Sequence, residues 1–214
     1  MTAGGAERSV EIERKYDADD AVSLPDWTAL PGVVRVGEPE PRALDARYLD
    51  TADGALGRAA TALRRRTGGP DEGWHIKSAT AGGKHESRWP LDVGAADESP
   101  VVPDAVRQEL AGVLGTSATA LSVIARIRND RTAYALADSA GGLIAEFVDD
   151  RVTATDVRRG ATTSWREWEL ELGPAAPTDA AGRDALFAAA DALVLAAGGR
   201  VSASASKLGR ALGL

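Results

Sequence analysis

From Trp165 to Leu172 the chain reads Trp-Arg-Glu-Trp-Glu-Leu-Glu-Leu, an alternation that an extended strand resolves into two chemically distinct faces. Trp168, Leu170 and Leu172 fall on one side, and Glu167, Glu169 and Glu171 on the other. Such a row of carboxylates is tolerated in open water, but a converging set needs cations or basic partners to offset its repulsion. Val10 to Tyr16 repeats the device: Val10, Ile12, Arg14 and Tyr16 share one face, while Glu11, Glu13 and Lys15 share the other. Taken alone, a triplet of this kind reads most simply as a solvated sheet face.

Basic residues occupy comparable positions. Arg64 and Arg66 flank Arg65 on a short strand and so point the same way, and Lys77 lies in the next strand within Trp74-His75-Ile76-Lys77. Guanidinium forks and a compact ammonium together suit an anion carrying several phosphoryl groups. The alternative is a basic strand edge that deters aggregation. His75 shares the face of Lys77, but a lone histidine is more often a packing or hydrogen-bonding residue than a catalyst, and it is assigned no role.

Elsewhere the pattern predicts further strands at Val33–Val36, Arg42–Asp50, Ala62–Arg66, Gly73–Ser78, Glu86–Leu91, Leu121–Leu136, Gly142–Asp149, Arg151–Val157 and Ser164–Leu172. Helical spacing predicts one helix over Pro103–Leu114 and an Ala-rich helix capped by Thr178 that stops at Gly198-Gly199. Asp19–Leu30 is read as a short helix or turn, and Asp71-Glu72 as a charged loop. The expected organisation is a flexible N-terminus over 1–8 and a single domain over 9–212, although Gly115–Ala120 could join two halves.

Composition narrows the chemistry. Cysteine is absent, which excludes disulfides, thiolate catalysis and Cys-ligated zinc. With only two histidines and 32 acidic residues, a metal would sit on oxygen, and Mg²⁺ or Mn²⁺ is the expected type. The net charge of −7 argues against a nucleic-acid partner. No run approaches the ~20 apolar residues of a membrane span, and no signal-peptide core opens the chain, so a cytoplasmic protein without a membrane partner is expected. No protein partner is evident from the sequence.

These segments, taken in order, resemble the CYTH group of the triphosphate tunnel metalloenzymes. The opening Glu-x-Glu-x-Lys signature stands as Glu11-Ile12-Glu13-Arg14-Lys15. It is followed by Tyr48-Leu49-Asp50-Thr51, Leu63-Arg64-Arg65-Arg66, Trp74-His75-Ile76-Lys77, Arg131-Thr132-Ala133-Tyr134, the Trp165–Glu171 strand and Ser206-Lys207-Leu208. The resemblance implies an α+β fold, an eight-stranded antiparallel β tunnel with flanking helices. It implies that Glu11 and Glu13 associate with metal and that Lys15, Arg64, Arg66, Lys77, Arg131 and Lys207 grip phosphates. Glu167, Glu169 and Glu171 would complete the acidic side as catalytic and metal-binding residues. One further acidic residue is expected from the strand before them. Glu146 and Asp150, four apart, share a face; Asp150 is preferred, and Asp149 points away if pairing is regular. Arg126 and Arg128 have the opposite parity to Arg131 and would enter only after a register change.

The function so implied is divalent-metal-dependent hydrolysis of a terminal phosphoryl group from a small triphosphate, inorganic triphosphate above all, with thiamine and nucleoside triphosphates as other candidates. Two alternatives stand beside it: a CYTH-type adenylate cyclase, for which no clear base-binding motif is present, and a polyphosphate-binding module without turnover.

Overall fold

The computed structural model describes residues 6–80, 83–91, 100–115 and 119–214. The expected flexible N-terminus therefore lies outside the described residues for its first five positions, as do 116–118 of the suggested joint. In chain order the elements are β1 (Glu7–Glu11), β2 (Glu13–Asp17), β3 (Arg35–Val36), β4 (Glu40–Asp50), α1 (Ala55–Arg58), β5 (Thr61–Thr67), β6 (Gly73–Thr80) and β7 (Gly83–Trp89). They continue as α2 (Asp104–Leu114), β8 (Ser122–Ala137), β9 (Leu143–Asp156), β10 (Ala161–Leu172), α3 (Ala180–Ala197), β11 (Arg200–Val201) and α4 (Lys207–Leu212). A single turn of 3-10 helix at Trp27–Ala29 occupies the segment read as helix or turn.

All the strands join one antiparallel sheet in the order β1-β7-β6-β5-β4-β8-β9-β10-β2-β11, with β3 added to β8. Among the described residues the sheet has eleven strands. Two of them, β3 and β11, are only two residues long. If β1 and β2 are taken as one interrupted strand, the eight expected long strands remain.

That interruption shapes the molecule. Val10–Tyr16 is not one continuous strand: pairing stops at Ile12, after which the chain changes partner from β7 to β10. The hydrogen-bonded path does not close on itself. Its end strand β1 instead continues through Ile12 into β2, the last long strand at the other end, which brings both margins of a curled sheet together.

Two other expectations need correction. Gly142–Asp149 and Arg151–Val157 are not separate strands but one, β9, which runs through Asp149 and Asp150 without a turn. Both carboxylates have partners on neighbouring strands, Arg166 for Asp149 and Arg131 for Asp150, so neither needs a loop. The cap of α3 is Asp179 rather than Thr178; its Oδ1 accepts from the Gly182 amide at 2.8 Å. The helix ends as expected at Gly198, whose positive φ of 99° closes the last turn.

Apolar clusters lie mainly outside the curled sheet. Tyr16, Phe147, Trp168 and Leu170 pack beneath α3 through Leu186, Phe187, Ala190 and Val194. Leu49, Leu63, Trp74, Ile76 and Trp89 pack against Leu56 of α1 and Val106 and Leu110 of α2. Trp168 and Leu170 are fully buried, so the apolar side of the Glu-rich strand faces the helix layer and its carboxylates face inward. A third cluster joins Ala46, Tyr48, Ile127, Val152 and Ala154 to Ala211 of α4, with Leu208 and Leu212 packed alongside. Sequence patterning did not identify α4 as a helix; at six residues it is too short to show a clear period.

Candidate functional site

The concave face of the sheet lines a cavity of about 120 Å³ whose wall draws on β1, β2, β4 to β8, β10 and the start of α4. Register explains how distant residues meet there. Arg131 lies opposite Asp150, Asp150 opposite Glu167, and Glu169 opposite Lys15. Directly opposed residues share a face in an antiparallel pair, so one strip across four strands carries both signs of charge.

The most enclosed part holds Asp150, Glu167 and Glu169. Arg131 donates to both oxygens of Asp150 at 2.8 and 2.7 Å and to Glu169 at 2.8 Å. Lys207, the first residue of α4, lies 2.8 Å from Asp150, 2.5 Å from Glu167 and 2.9 Å from Glu169. Lys15 contacts Glu169 and donates to Glu13 at 3.0 Å. Burial would raise the Glu169 carboxyl, but Lys15, Lys207 and Arg131 hold it well below the ordinary 4.5. Burial likewise opposes the Lys207 charge, and Asp150, Glu169 and Glu167 more than reverse that effect.

A second acidic group holds Glu11, Glu13 and Glu171. Lys77 donates to both Glu11 oxygens at 2.7 and 2.6 Å, and Lys84 donates to Glu13 at 2.6 Å. Glu171 reaches the same cavity, yet among the described residues no side chain bonds or pairs with it. Enclosure by the wall, with the nearby charge of Glu11 and then of Glu13 and Glu169, lifts its pKa to about 7, against a smaller lowering by Lys77.

Arg64, Arg66 and Lys77 form the basic wall. Burial, with Arg64 and Arg131 nearby, depresses the Arg66 guanidinium to about 9, although it contacts Asp71. Three cations of this strength in a small space are electrostatically suited to receive an anion. Tyr48 adds a hydroxyl hydrogen-bonded to Arg64; burial would raise this phenol, but Arg64 and Lys77 bring it below its ordinary value. Glu86 lies 3.4 Å from both Arg64 and Lys77 and 2.8 Å from Nδ1 of His75.

Thus the cavity brings together Glu11, Glu13, Lys15, Arg64, Arg66, Lys77, Arg131, Glu169, Glu171 and Lys207. Asp150 and Glu167 join them through the contacts of Lys207 and Arg131. Of the open alternatives, Asp149 turns outward to Arg166 and the Trp168 indole. Glu146 shares the inner face but is bonded at 3.0 Å by Arg42. Arg126 is paired with Asp45 on the outer face, and Arg128 lies opposite Asp45 there, so no register change brings either inside. Asp71, read as part of a charged loop, instead lines the cavity. Sequence reasoning assigned no role to Tyr48 or Glu86 and left that of Lys84 open. Tyr48 and Lys84 stood within or beside recognisable motifs, but only the register of β6 against β7 places Glu86 opposite Lys77.

The donor set fits a hard divalent cation. Asp150, Glu167 and Glu169 each offer a carboxylate oxygen, and these atoms lie within 4.8 Å of one another. In this structure Arg131, Lys207 and Lys15 balance the three charges.

Comparison with known proteins agrees with this geometry. The CYTH domain family matches residues 9–195. An uncharacterized protein of Mycobacterium tuberculosis, from strains CDC 1551 and H37Rv, is 35% identical over 219 residues. That alignment covers 96% of this chain but 40% of the relative, so the chain spans well under half the length of the curated relatives it matches. Among solved structures, a proposed adenylate cyclase from Bacillus halodurans superposes with a TM-score of 0.64 at 18% identity, covering 95% of this chain and 97% of that one. A proposed adenylyl cyclase from Hippeastrum with a dominant triphosphatase activity superposes with a TM-score of 0.56 at 15% identity, covering 95% of each. At these identities the structural likeness bears on the fold. The sequence match over most of the chain carries the assignment: this chain belongs to the CYTH family, whose members are typically divalent-metal-dependent triphosphatases or cyclases.

Proposed function

We propose that this chain is a metal-dependent triphosphatase that releases a terminal phosphoryl group, with inorganic triphosphate as the preferred substrate. The observation that carries the reading is the convergence of Arg64, Arg66, Lys77, Arg131, Lys15 and Lys207 with buried carboxylates around one small cavity. Phosphoryl transfer needs mainly positioning and charge neutralisation, and both are built into such a wall. Arg64, Arg66 and Lys77 would hold one part of the phosphate chain, and Arg131, Lys15 and Lys207 another. Asp150, Glu167 and Glu169 would hold Mg²⁺ or Mn²⁺, with Glu11, Glu13 and Glu171 as further oxygen donors. When bound, the ion would neutralise phosphate oxygens and make water more acidic. Substrate phosphates would take over the basic groups that these carboxylates now occupy, which couples metal entry to substrate binding.

Among the described residues the sole aromatic side chain on the cavity wall is Tyr48, and its hydroxyl is engaged with Arg64. That favours a substrate without a base to stack. One observation supports an organic triphosphate as a second reading: a neighbouring cavity of about 580 Å³ shares Glu11, Glu13, Lys15 and Lys84 with the first and adds Val201, Ser202 and Ser204. A group attached to the triphosphate would have room there.

A phosphate-release assay tests the proposal. Inorganic triphosphate, thiamine triphosphate, ATP and longer polyphosphate are compared with Mg²⁺, Mn²⁺ and a chelator, with product analysis for cyclic AMP. The expected result is fastest orthophosphate release from inorganic triphosphate, abolished by the chelator. Cyclic AMP formed from ATP without orthophosphate would establish a cyclase instead. Tight triphosphate binding without turnover, unaffected by alanine at Glu169 and Glu171, would establish a binding module.

A further inference from the structure

His75 is fully buried on the inner side of β6, opposite Arg64 of β5. Its Nδ1 lies 2.8 Å from Oε1 of Glu86, while among the described residues its Nε2 has no hydrogen-bond partner. An imidazole with one nitrogen unsatisfied is a poor choice for packing alone, since an apolar side chain would leave no polar atom stranded. Burial, followed by the nearby charges of Arg64 and Arg66, lowers its pKa to about 3 despite the bond to Glu86, so the ring is neutral. An ionised carboxylate only accepts, which makes Nδ1 the donor. The same Glu86 oxygen faces Arg64 and Lys77, each at 3.4 Å, longer than a tight ion pair.

We propose that His75 and Glu86 are positioning residues: His75 donates its Nδ1–H to Glu86, restraining a carboxylate that aims Arg64 and Lys77 at the substrate without capturing either. The inference rests on the triphosphate reading of the cavity. Without the imidazole donor, Glu86 would be released to pair closely with Lys77 and Arg64, and it would then compete with phosphate for both. The loss should fall on anion affinity and KM rather than on kcat, because the two cations grip the ground state as well as the transition state.

The test compares His75→Ala, His75→Asn and His75→Gln by calorimetric binding of inorganic triphosphate in chelator, by KM and kcat with Mg²⁺, and by thermal melting. An Asn amide can place its donor near the position of Nδ1, whereas that of Gln falls nearer Nε2. Expected are about tenfold weaker binding and a tenfold higher KM for Ala and Gln, with kcat changed less than threefold, and recovery to within threefold for Asn. Equal binding in all variants, or losses in Asn matching those in Ala, would overturn the proposal. Nitrogen NMR of the native protein adds a readout that needs no variant: an Nδ1–H tautomer that does not titrate between pH 5 and 8 supports it, and an Nε2–H tautomer overturns it. If the native protein itself fails to bind triphosphate, the substrate reading fails, while the tautomer still reports on the His75–Glu86 bond.

Discussion

The two acidic groups of the cavity differ in how their charge is compensated. Asp150, Glu167 and Glu169 are buried, and Arg131, Lys207 and Lys15 bridge them so that every carboxylate touches at least one cation. Glu11 pairs with Lys77 of β6, Glu13 with Lys84 of β7 and with Lys15 from the first group, and Glu171 has no pairing partner among the described residues. Each carboxylate of the first group is compensated, whereas in the second Glu171 faces the charge of Glu11 without a pairing partner among the described residues. A buried charge network is costly to break at one member, because the remaining charges are left unpaired in a poor solvent.

The strongest test of this contrast is Glu169→Gln. It removes the carboxylate shared by Lys15, Lys207 and Arg131, and turnover should fall on the order of 10²- to 10³-fold, measured as phosphate release at saturating metal. Inorganic triphosphate should still bind, since the basic groups are freed rather than lost.

Lys207→Met probes the same unit from its basic side. Three buried carboxylates would then share Arg131 and Lys15, and stability should fall by about 3–5 kcal/mol, seen as a lower melting temperature. Added Mg²⁺ or Mn²⁺ should restore more of that loss than it adds to the native protein. Equal metal effects in both would break the picture of a compensated carboxylate cluster.

Glu171→Gln should act in the opposite sense on stability. The folded protein raises this carboxyl from its ordinary 4.5 to about 7, so the protonated form is favoured in the fold. Its contribution is fully present below pH 4.5 and is lost as pH rises through about 7. The native protein should therefore lose melting temperature relative to the Gln variant across that interval. Activity should fall on the order of tenfold, the scale of a metal-site contact.

The smallest effect belongs to Asp45→Ala on the outer face, where Arg126 pairs with Asp45 in reach of solvent. Stability should change by less than about 1 kcal/mol, and turnover should not change.

Much of this arrangement was legible beforehand because strand parity is a local property. The alternation of Glu167, Glu169 and Glu171 with Trp168, Leu170 and Leu172 told which side chains share a face, and burial of Trp168 and Leu170 under α3 fixes that face as inward for the carboxylates. The same logic separated Asp150 from Asp149, and Arg131 from Arg126 and Arg128. Parity states which residues are together on one strand; it does not state which strand lies beside it.

What the sequence determined alone was therefore the two-sided character of each strand and the family to which its motifs point. Tertiary structure decided the rest. The break at Ile12 sends Glu11 to pair with β7 and Glu13 with β10, although the two are only two residues apart. The register of β6 on β7 makes Glu86 the meeting point of His75, Arg64 and Lys77, and α4 carries Lys207 into the carboxylate cluster. Pairing between distant strands depends on how the whole sheet curls and closes, and that information is spread over the chain rather than held in any local pattern.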